Sequence, residues 1–290
     1  MSRLWAWLFL GASLIALAQQ PVQATSQDAD VMLAAVSRNQ YMFTGGIGPD
    51  KWTGKGTVEV EPLGYITESG EWKALPCSKD WLKTCPKFAR EYLSKPHTYT
   101  VVSADGQGAM IQSAPTTLSE CHFYNGPGTY TGASIANSAI AASSTDLFAE
   151  AAPLLLLSGG EARPIRDALS RLVPQKLDSI HRLRIFTLRL EGQELLAVQR
   201  SYSDIATAPE GERYEYVFVV GNMDESRFHV LHRKKNTEDE VERILGTIHL
   251  KSGRDFLITT VSDPESQWFR VYGIRNGHLT LIYSGGGSSC

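Results

Sequence analysis

The chain has 290 residues, of which 20% are charged and 9% aromatic, and its formal net charge is −3 at pH 7. This composition is typical of a folded globular chain and excludes a largely disordered one. The mild negative charge gives no reason to expect nucleic acid or an anionic membrane as a partner.

The N-terminus predicts a cleavable export signal. Arg3 supplies a positive charge, and the 15 residues of the stretch 4–18 are uncharged. That stretch is shorter than the ~20 apolar residues that cross a bilayer. Small residues at cleavage spacing follow, with cleavage after Ala24 preferred and Ala18 as the alternative. We therefore expect a periplasmic or secreted protein without a membrane span, whose mature charge is −4 because residues 1–24 contain one arginine and no acid.

Four cysteines follow the signal, and they are Cys77, Cys85, Cys121 and Cys290. An even number in an oxidising compartment first indicates disulfides, and four cysteines allow three pairings. We favour Cys77–Cys85, which would pin a short stretch, and Cys121–Cys290, which the flexible Gly- and Ser-rich tail 285–289 would reach. The alternative is a catalytic thiol at Cys121 beside His122, but adjacent side chains rarely have reacting geometry.

Residues 25–145 are predicted to form a β-rich region with one short helix. The turn dipeptides Ser69-Gly70 and Asp105-Gly106 separate β-rich runs and predict hairpins. An apolar stripe over 87–94, which begins behind Pro86, predicts the helix. The small-residue tract 126–144 is compatible with a close-packed segment or a surface loop.

Residues 146–290 are predicted to form a helix followed by a repeated β-meander. A capping box at Ser158–Glu161 precedes apolar residues at helical spacing up to Leu172. The run 184–196 is then echoed by 243–257, and each run is followed by two further predicted strands. The chain thus contains two four-strand units spaced roughly like β-propeller blades.

The last hairpin is predicted in register. Asn276-Gly277 suits a two-residue type I′ turn, and this turn pairs residue 274 with 279, 272 with 281, and 270 with 283. Both faces of the hairpin are largely apolar, which favours a strand pair inside a packed sheet. The fold class we predict is mainly β, an antiparallel meander forming a sandwich or open barrel, with two or three short helices. A small propeller is the alternative, although two units cannot close one.

No linear motif identifies a reaction. The mature sequence contains no nucleophile elbow, zinc-protease motif, P-loop or dinucleotide fingerprint. His229 and His232 lie three apart on a predicted strand and are not expected to share a metal. Asp263 and Glu265 are paired acids in a connecting loop, where turn chemistry explains them better than catalysis. We expect neither a metal nor a cofactor.

The candidate ligand surface is an aromatic set beside Cys121, in a predicted loop. Its members are His122, Tyr124 and Tyr130. The sequence favours an exported β-scaffold, stabilised by disulfides, that binds a partner or ligand in the cell envelope. The alternative is an extracytoplasmic hydrolase whose site leaves no linear motif.

Overall fold

The structure is a computed structural model, and it describes residues 31–37, 55–75, 94–115, 117–118, 124–133, 138–158, 165, 180–204, 213–224, 227–235, 240–263 and 266–289. Their elements are all strands of antiparallel β-sheets, and Ile165 is the one described residue with a helical backbone. The prediction of a mainly β, antiparallel fold is confirmed. The segments predicted as helices lie almost entirely outside the described residues, so those helices stay a prediction.

The first sheet contains a closed ring of strands. Its eight strands are β1 (Val31–Ser37), β2 (Lys55–Ile66), β3 (Trp72–Ala74), β4 (His97–Val101), β5 (Met110–Ser113), β6 (Thr117–Leu118), β7 (Tyr124–Thr131) and β8 (Ser138–Ala142). Their order is β3-β2-β1-β8-β4-β5-β7-β6, and β2 also pairs with β7. This extra pairing closes β2, β1, β8, β4, β5 and β7 into a ring, which we call the barrel.

The barrel interior is filled by side chains from one face of every strand in the ring. Large residues such as Tyr99 and Tyr130 lie beside small ones such as Ala139 and Ala141, and all four are at most 2% exposed. A ring of six strands is narrow, and alternating large and small residues is how small barrels fill their interior. The ring therefore encloses a packed core.

The second half of the described chain forms two further sheets. The outer sheet contains β9 (Leu155–Leu156), β10 (Ile180–Leu190), β11 (Gln193–Asp204), β12 (Arg213–Asp224) and β13 (Arg227–Lys235) in the order β13-β12-β11-β10-β9. The middle sheet contains β14 (Val241–His249), β15 (Asp255–Ser262), β16 (Ser266–Arg275) and β17 (His278–Ser289) in that order. Each of the two sequence repeats thus supplies four consecutive up-and-down strands, while the proposed domain boundaries stay a prediction.

The middle sheet is buried on both faces. Phe256 and Ile258 of β15 pack against the outward side of β1 and β8, whereas Leu257 between them packs against the outer sheet. Strand β14 contacts β10 and β12, β15 contacts β10, and β13 contacts β17, so the sheets of the two repeats pack face to face. The molecule is a stack of barrel, middle sheet and outer sheet.

The predicted hairpins are present, and the register of the last one changes partway along. Asn276 and Gly277 have positive φ angles of 52° and 76°, as a type I′ turn requires. The first two predicted pairs are found, but a β-bulge then pairs Tyr283 with residue 271 instead of 270. The extra residue moves Tyr283 to the barrel side, where its ring lies 5.8 Å from that of Trp72.

The Gly- and Ser-rich tail is a strand. Residues 285–289 continue β17, and Ser289 pairs with Ser266 of β16. The expectation of a flexible tail is therefore wrong, because the backbone of these small residues pairs with β16. Cys290 and the other three cysteines lie outside the described residues, so the disulfide pairing stays a prediction.

Candidate functional site

A group of charged and polar side chains is buried between the middle and outer sheets. It comprises Glu240, Glu242, Thr259, Arg270 and Tyr272, and we call it the acid–arginine cluster. Arg270 and Tyr272 are two residues apart on β16 and therefore share a face, and Thr259 on β15 is the cross-strand partner of Arg270. Strand alternation thus directs these side chains from the middle sheet towards the outer sheet.

Glu242 is the centre of this cluster. Its Oε1 accepts hydrogen bonds from Thr259 Oγ1 at 2.8 Å and from the Tyr272 hydroxyl at 2.7 Å. Its Oε2 lies 2.7 Å from Arg270 Nη1, which donates to it. The Glu242 side chain is 0% exposed and that of Arg270 is 6% exposed, so this ion pair is enclosed.

Further contacts extend the cluster in two directions. Arg270 Nη2 lies 3.5 Å from Glu240 Oε2, and the guanidinium lies over the Trp268 ring at 5.8 Å. Gln199 of the outer sheet donates from Nε2 to the Glu242 backbone carbonyl at 3.2 Å. The cluster therefore connects the two repeats through a hydrogen bond as well as through apolar packing.

The electrostatic environment of the cluster favours the protonated forms of Arg270 and Tyr272, which donate hydrogen bonds to Glu242. Burial is the largest single influence on Arg270 and lowers its pKa, but the combined effects of Glu242, Tyr272 and Glu240 outweigh burial, so the pKa is raised. Burial and then the charge of Glu242 raise the pKa of Tyr272, so its hydroxyl remains a donor. Because these groups bond to one another in an enclosed place, the cluster is suited to fixing the sheets together.

A second buried polar pair lies where β14 ends and β15 begins. His249 and Asp255 are cross-strand partners, and His249 Nδ1 lies 3.0 Å from Asp255 Oδ2. The same carboxylate oxygen accepts a hydrogen bond from the backbone N–H of Glu191, in the turn between β10 and β11. We call His249 and Asp255 the histidine–aspartate pair.

This pair has the arrangement of a base and its orienting group. In a neutral ring, a hydrogen bond from Nδ1 to Asp255 would leave the lone pair of His249 on Nε2. His249 Nε2 is buried and makes no hydrogen bond in the described structure. The imidazole is therefore oriented as a general base would be, but a reacting group would have to reach a buried atom.

Of the three residues predicted to contact a ligand, only Tyr130 has a side chain that the structure describes. His122 lies outside the described residues, and Tyr124 begins β7. Tyr130 is 2% exposed and lies in the barrel interior, where β7 pairs with both β2 and β5. The loop predicted beside Cys121 is a strand from Tyr124 onwards, and the small-residue tract begins as a close-packed strand, because β2 and β5 satisfy the backbone of β7. The ligand-binding role of these residues stays a prediction.

The remaining candidates have local explanations. Asp263 Oδ1 accepts a hydrogen bond from the Ser266 backbone N–H, which is turn chemistry, and Glu265 lies outside the described residues. His229 is exposed on β13, whereas His232 is half-buried. No group of three or more His, Cys, Asp or Glu side chains among the described residues could hold a metal ion.

Sequence reasoning missed the two buried polar groups, although one signal was present. Arg270 lies in a hairpin whose two faces are otherwise largely apolar, so its burial with an acidic partner could have been expected. The burial of its partner Glu242 could not have been expected, because Glu242 lies in a stretch of charged residues that resembles a solvated connection.

Comparisons with known proteins identify no relative. No family model matches the sequence, and no curated protein and no solved structure is significantly similar to it. Among the residues that the structure describes, no helix is long and apolar enough to cross a membrane.

Proposed function

We propose that the chain is an exported β-scaffold, stabilised by disulfides, that binds a partner or ligand in the cell envelope. The observation that supports a rigid scaffold is the enclosed acid–arginine cluster, in which the buried Glu242 side chain accepts three side-chain hydrogen bonds. A network of this kind rigidifies the joint between two sheets. Export is supported by the N-terminal pattern of Arg3, an uncharged stretch and small residues.

Mass spectrometry of the protein recovered from a bacterial host tests the export and disulfide parts of this proposal. We expect a mature chain that begins at Thr25 and whose thiols react with an alkylating reagent only after reduction. A chain retained in the cytoplasm with its N-terminus intact would contradict export. Alkylation of all four cysteines before reduction would contradict the disulfide framework.

The binding part is tested by the native size of the protein in gently extracted envelope fractions. We expect a discrete species larger than the purified chain, and we expect the double variant His122→Ala/Tyr124→Ala to lose it. Exposed His278 supplies a matched control, because His278→Ala should leave the larger species in place. Recovery of the chain at its purified size alone would contradict a stable envelope partner.

The histidine–aspartate pair favours a second candidate function, an extracytoplasmic hydrolase with His249 as its general base. In this candidate Asp255 orients the ring and Nε2 activates water or a hydroxyl. A panel of ester, glycoside and peptide substrates separates the two functions. Turnover that is lost in His249→Gln but kept in His278→Gln would favour the hydrolase, whereas no turnover by the intact protein would favour the scaffold.

A further inference from the structure

Where the outer sheet meets the middle sheet, between β13 and β17, a histidine packs against two aromatic rings. We call this contact between β13 and β17 the joint. His232 lies on β13, at the edge of the outer sheet that contacts β17 of the middle sheet. Its ring is 4.9 Å from that of Tyr272 and 6.1 Å from that of Phe218, both in edge-on geometry. Tyr272 and Phe218 are at most 1% exposed, so they present an apolar wall to one side of the imidazole.

The surroundings of the His232 ring suit the neutral form. A backbone hydrogen bond to Leu279, on β17, favours the protonated ring, but burial outweighs it. His232 Nε2 is buried and has no hydrogen-bond partner in the described structure. A neutral imidazole with its proton on Nδ1 is therefore accommodated, whereas an imidazolium would carry a second N–H at Nε2 without an acceptor.

The charges around His232 come from three strands. Lys234 lies on its own strand, Arg270 faces it from β16, and Glu242 faces it from β14. Phe218 is the contact from β12, and the contact from β17 is the Leu279 carbonyl. Burial is the largest influence and lowers the pKa of His232. The Glu242 carboxylate and the Leu279 backbone oppose that shift, while Lys234 and Arg270 add to it.

We propose that His232 makes the joint between β13 and β17 sensitive to mild acid. At neutral pH the ring binds the Leu279 carbonyl and packs edge-on against Tyr272. Protonation places an unsatisfied N–H and a third positive charge beside Lys234 and Arg270 in a half-buried position. The joint then opens at this edge, while the barrel, which packs on the other face of the middle sheet, remains folded.

The direction of the pH dependence follows from linkage. Because the pKa of His232 is lower in the closed joint than in an open one, the open form takes up the proton first. The joint has its full stability above the ordinary histidine pKa of ~6.5. It loses stability as the pH falls from there towards the lowered pKa of His232 in the closed joint. Within that window the opening equilibrium rises by up to about tenfold per pH unit.

Hydrogen–deuterium exchange of the full mature chain, read by mass spectrometry between about pH 7.5 and 5.5, tests the proposal. Protection factors, corrected for the intrinsic effect of pH on exchange, should fall in peptides from β13 and β17 and stay constant in peptides from β1 and β8. His232→Gln, which keeps an N–H donor for Leu279, and His232→Phe, which keeps the aromatic packing, should both abolish the fall.

His229→Gln is the matched control, because His229 lies on the same strand with its side chain 53% exposed. This variant should keep the fall in protection seen in the unmodified chain. The proposal is overturned if the His232 variants that fold lose protection in acid as the unmodified chain does. It is equally overturned if barrel and joint lose protection together.

Discussion

At the scale of single residues, the main feature is that the ion pair of Glu242 and Arg270 is buried. Removing two charges from water costs several kcal/mol each, and their attraction compensates only when the remaining bonds are also made. Glu242 meets this condition through Thr259 and Tyr272, and Arg270 through its second contact with Glu240. The pair is therefore more important for holding one arrangement of the sheets than for adding net stability.

Replacing Glu242 by a neutral side chain should destabilise the protein, because the buried charge of Arg270 then lacks its nearest counter-charge. Glu242→Gln keeps an acceptor for Tyr272 and Thr259 but leaves Arg270 without its nearest counter-charge. We expect the free energy of unfolding in urea to fall by about 3–5 kcal/mol. A double variant with Arg270→Gln should lose less than the sum of the two single changes, because the two side chains interact directly.

Glu240→Gln provides the control for the same chemical change. Its carboxylate lies 3.5 Å from Arg270, and its side chain is 24% exposed, so water screens the interaction. We expect a loss of about 0–1 kcal/mol. If Glu240→Gln and Glu242→Gln lower the free energy of unfolding equally, Glu242 is not the main counter-charge of Arg270.

At the scale of elements, β-bulges decide which side chains meet. The bulge in β17 moves Tyr283 to the barrel side of the middle sheet. A second bulge lies between β12 and β13, where Val220 pairs with His232 and Gly221 pairs with Val230. Residue His232, which packs against Tyr272, lies beside this second bulge. At the bulge the backbone of His229 and the ring of Phe228 approach Gly221 closely.

Adding one methyl group at Gly221 should disturb the second bulge. A Cβ there would lie 2.2 Å from the His229 carbonyl oxygen and 2.7 Å from the Phe228 ring. The carbonyl is backbone and cannot rotate away, so we expect Gly221→Ala to cost about 3 kcal/mol or more in thermal or urea unfolding. Gly253 is the control, because a Cβ at that turn meets nothing within 4 Å.

Gly253→Ala carries only the strain of a positive φ of 84°. We expect this change to cost about 1–2 kcal/mol. If Gly221→Ala is no more destabilising than Gly253→Ala, the close approach at the bulge is not the constraint that we infer.

At the scale of the whole molecule, the middle sheet connects the barrel to the outer sheet. Leu257 and Ile258 are adjacent on β15, and both are 0% exposed, yet their side chains belong to different interfaces. A sheet covered on both faces cannot lose one neighbour without exposing apolar surface to water. At neutral pH, where the joint at His232 is closed, we therefore expect barrel, middle sheet and outer sheet to unfold together in urea.

Truncating either neighbour on β15 should weaken the entire molecule. Leu257→Ala and Ile258→Ala should each lower the free energy of unfolding by about 2–5 kcal/mol, because each leaves a cavity in a packed interface. Circular dichroism and tryptophan fluorescence should give the same single transition in urea. Leu281→Ala, at a side chain that is 45% exposed, should change stability by less than about 0.5 kcal/mol. Two separate transitions would contradict a shared core.

Local features of this protein could be predicted from its sequence. The antiparallel β class, the hairpin at Asn276-Gly277 and its first two residue pairs depend on alternation and on turn chemistry over a few residues. The resemblance between residues 184–196 and 243–257 likewise indicated strands that now lie in two four-strand meanders. The export signal and disulfides come from the same kind of reasoning and stay predictions.

Other features were decided only by the tertiary structure. Barrel closure pairs Lys55 with Thr131, the bulge moves Tyr283 to the other face, and Arg270 meets Glu242 from another strand. None of these can be read from a window of sequence, because each depends on residues far apart in the chain that meet only when the sheets pack. The free energy of burying a charge or of closing the barrel depends on how the sheets pack, and a local sequence pattern does not determine that packing.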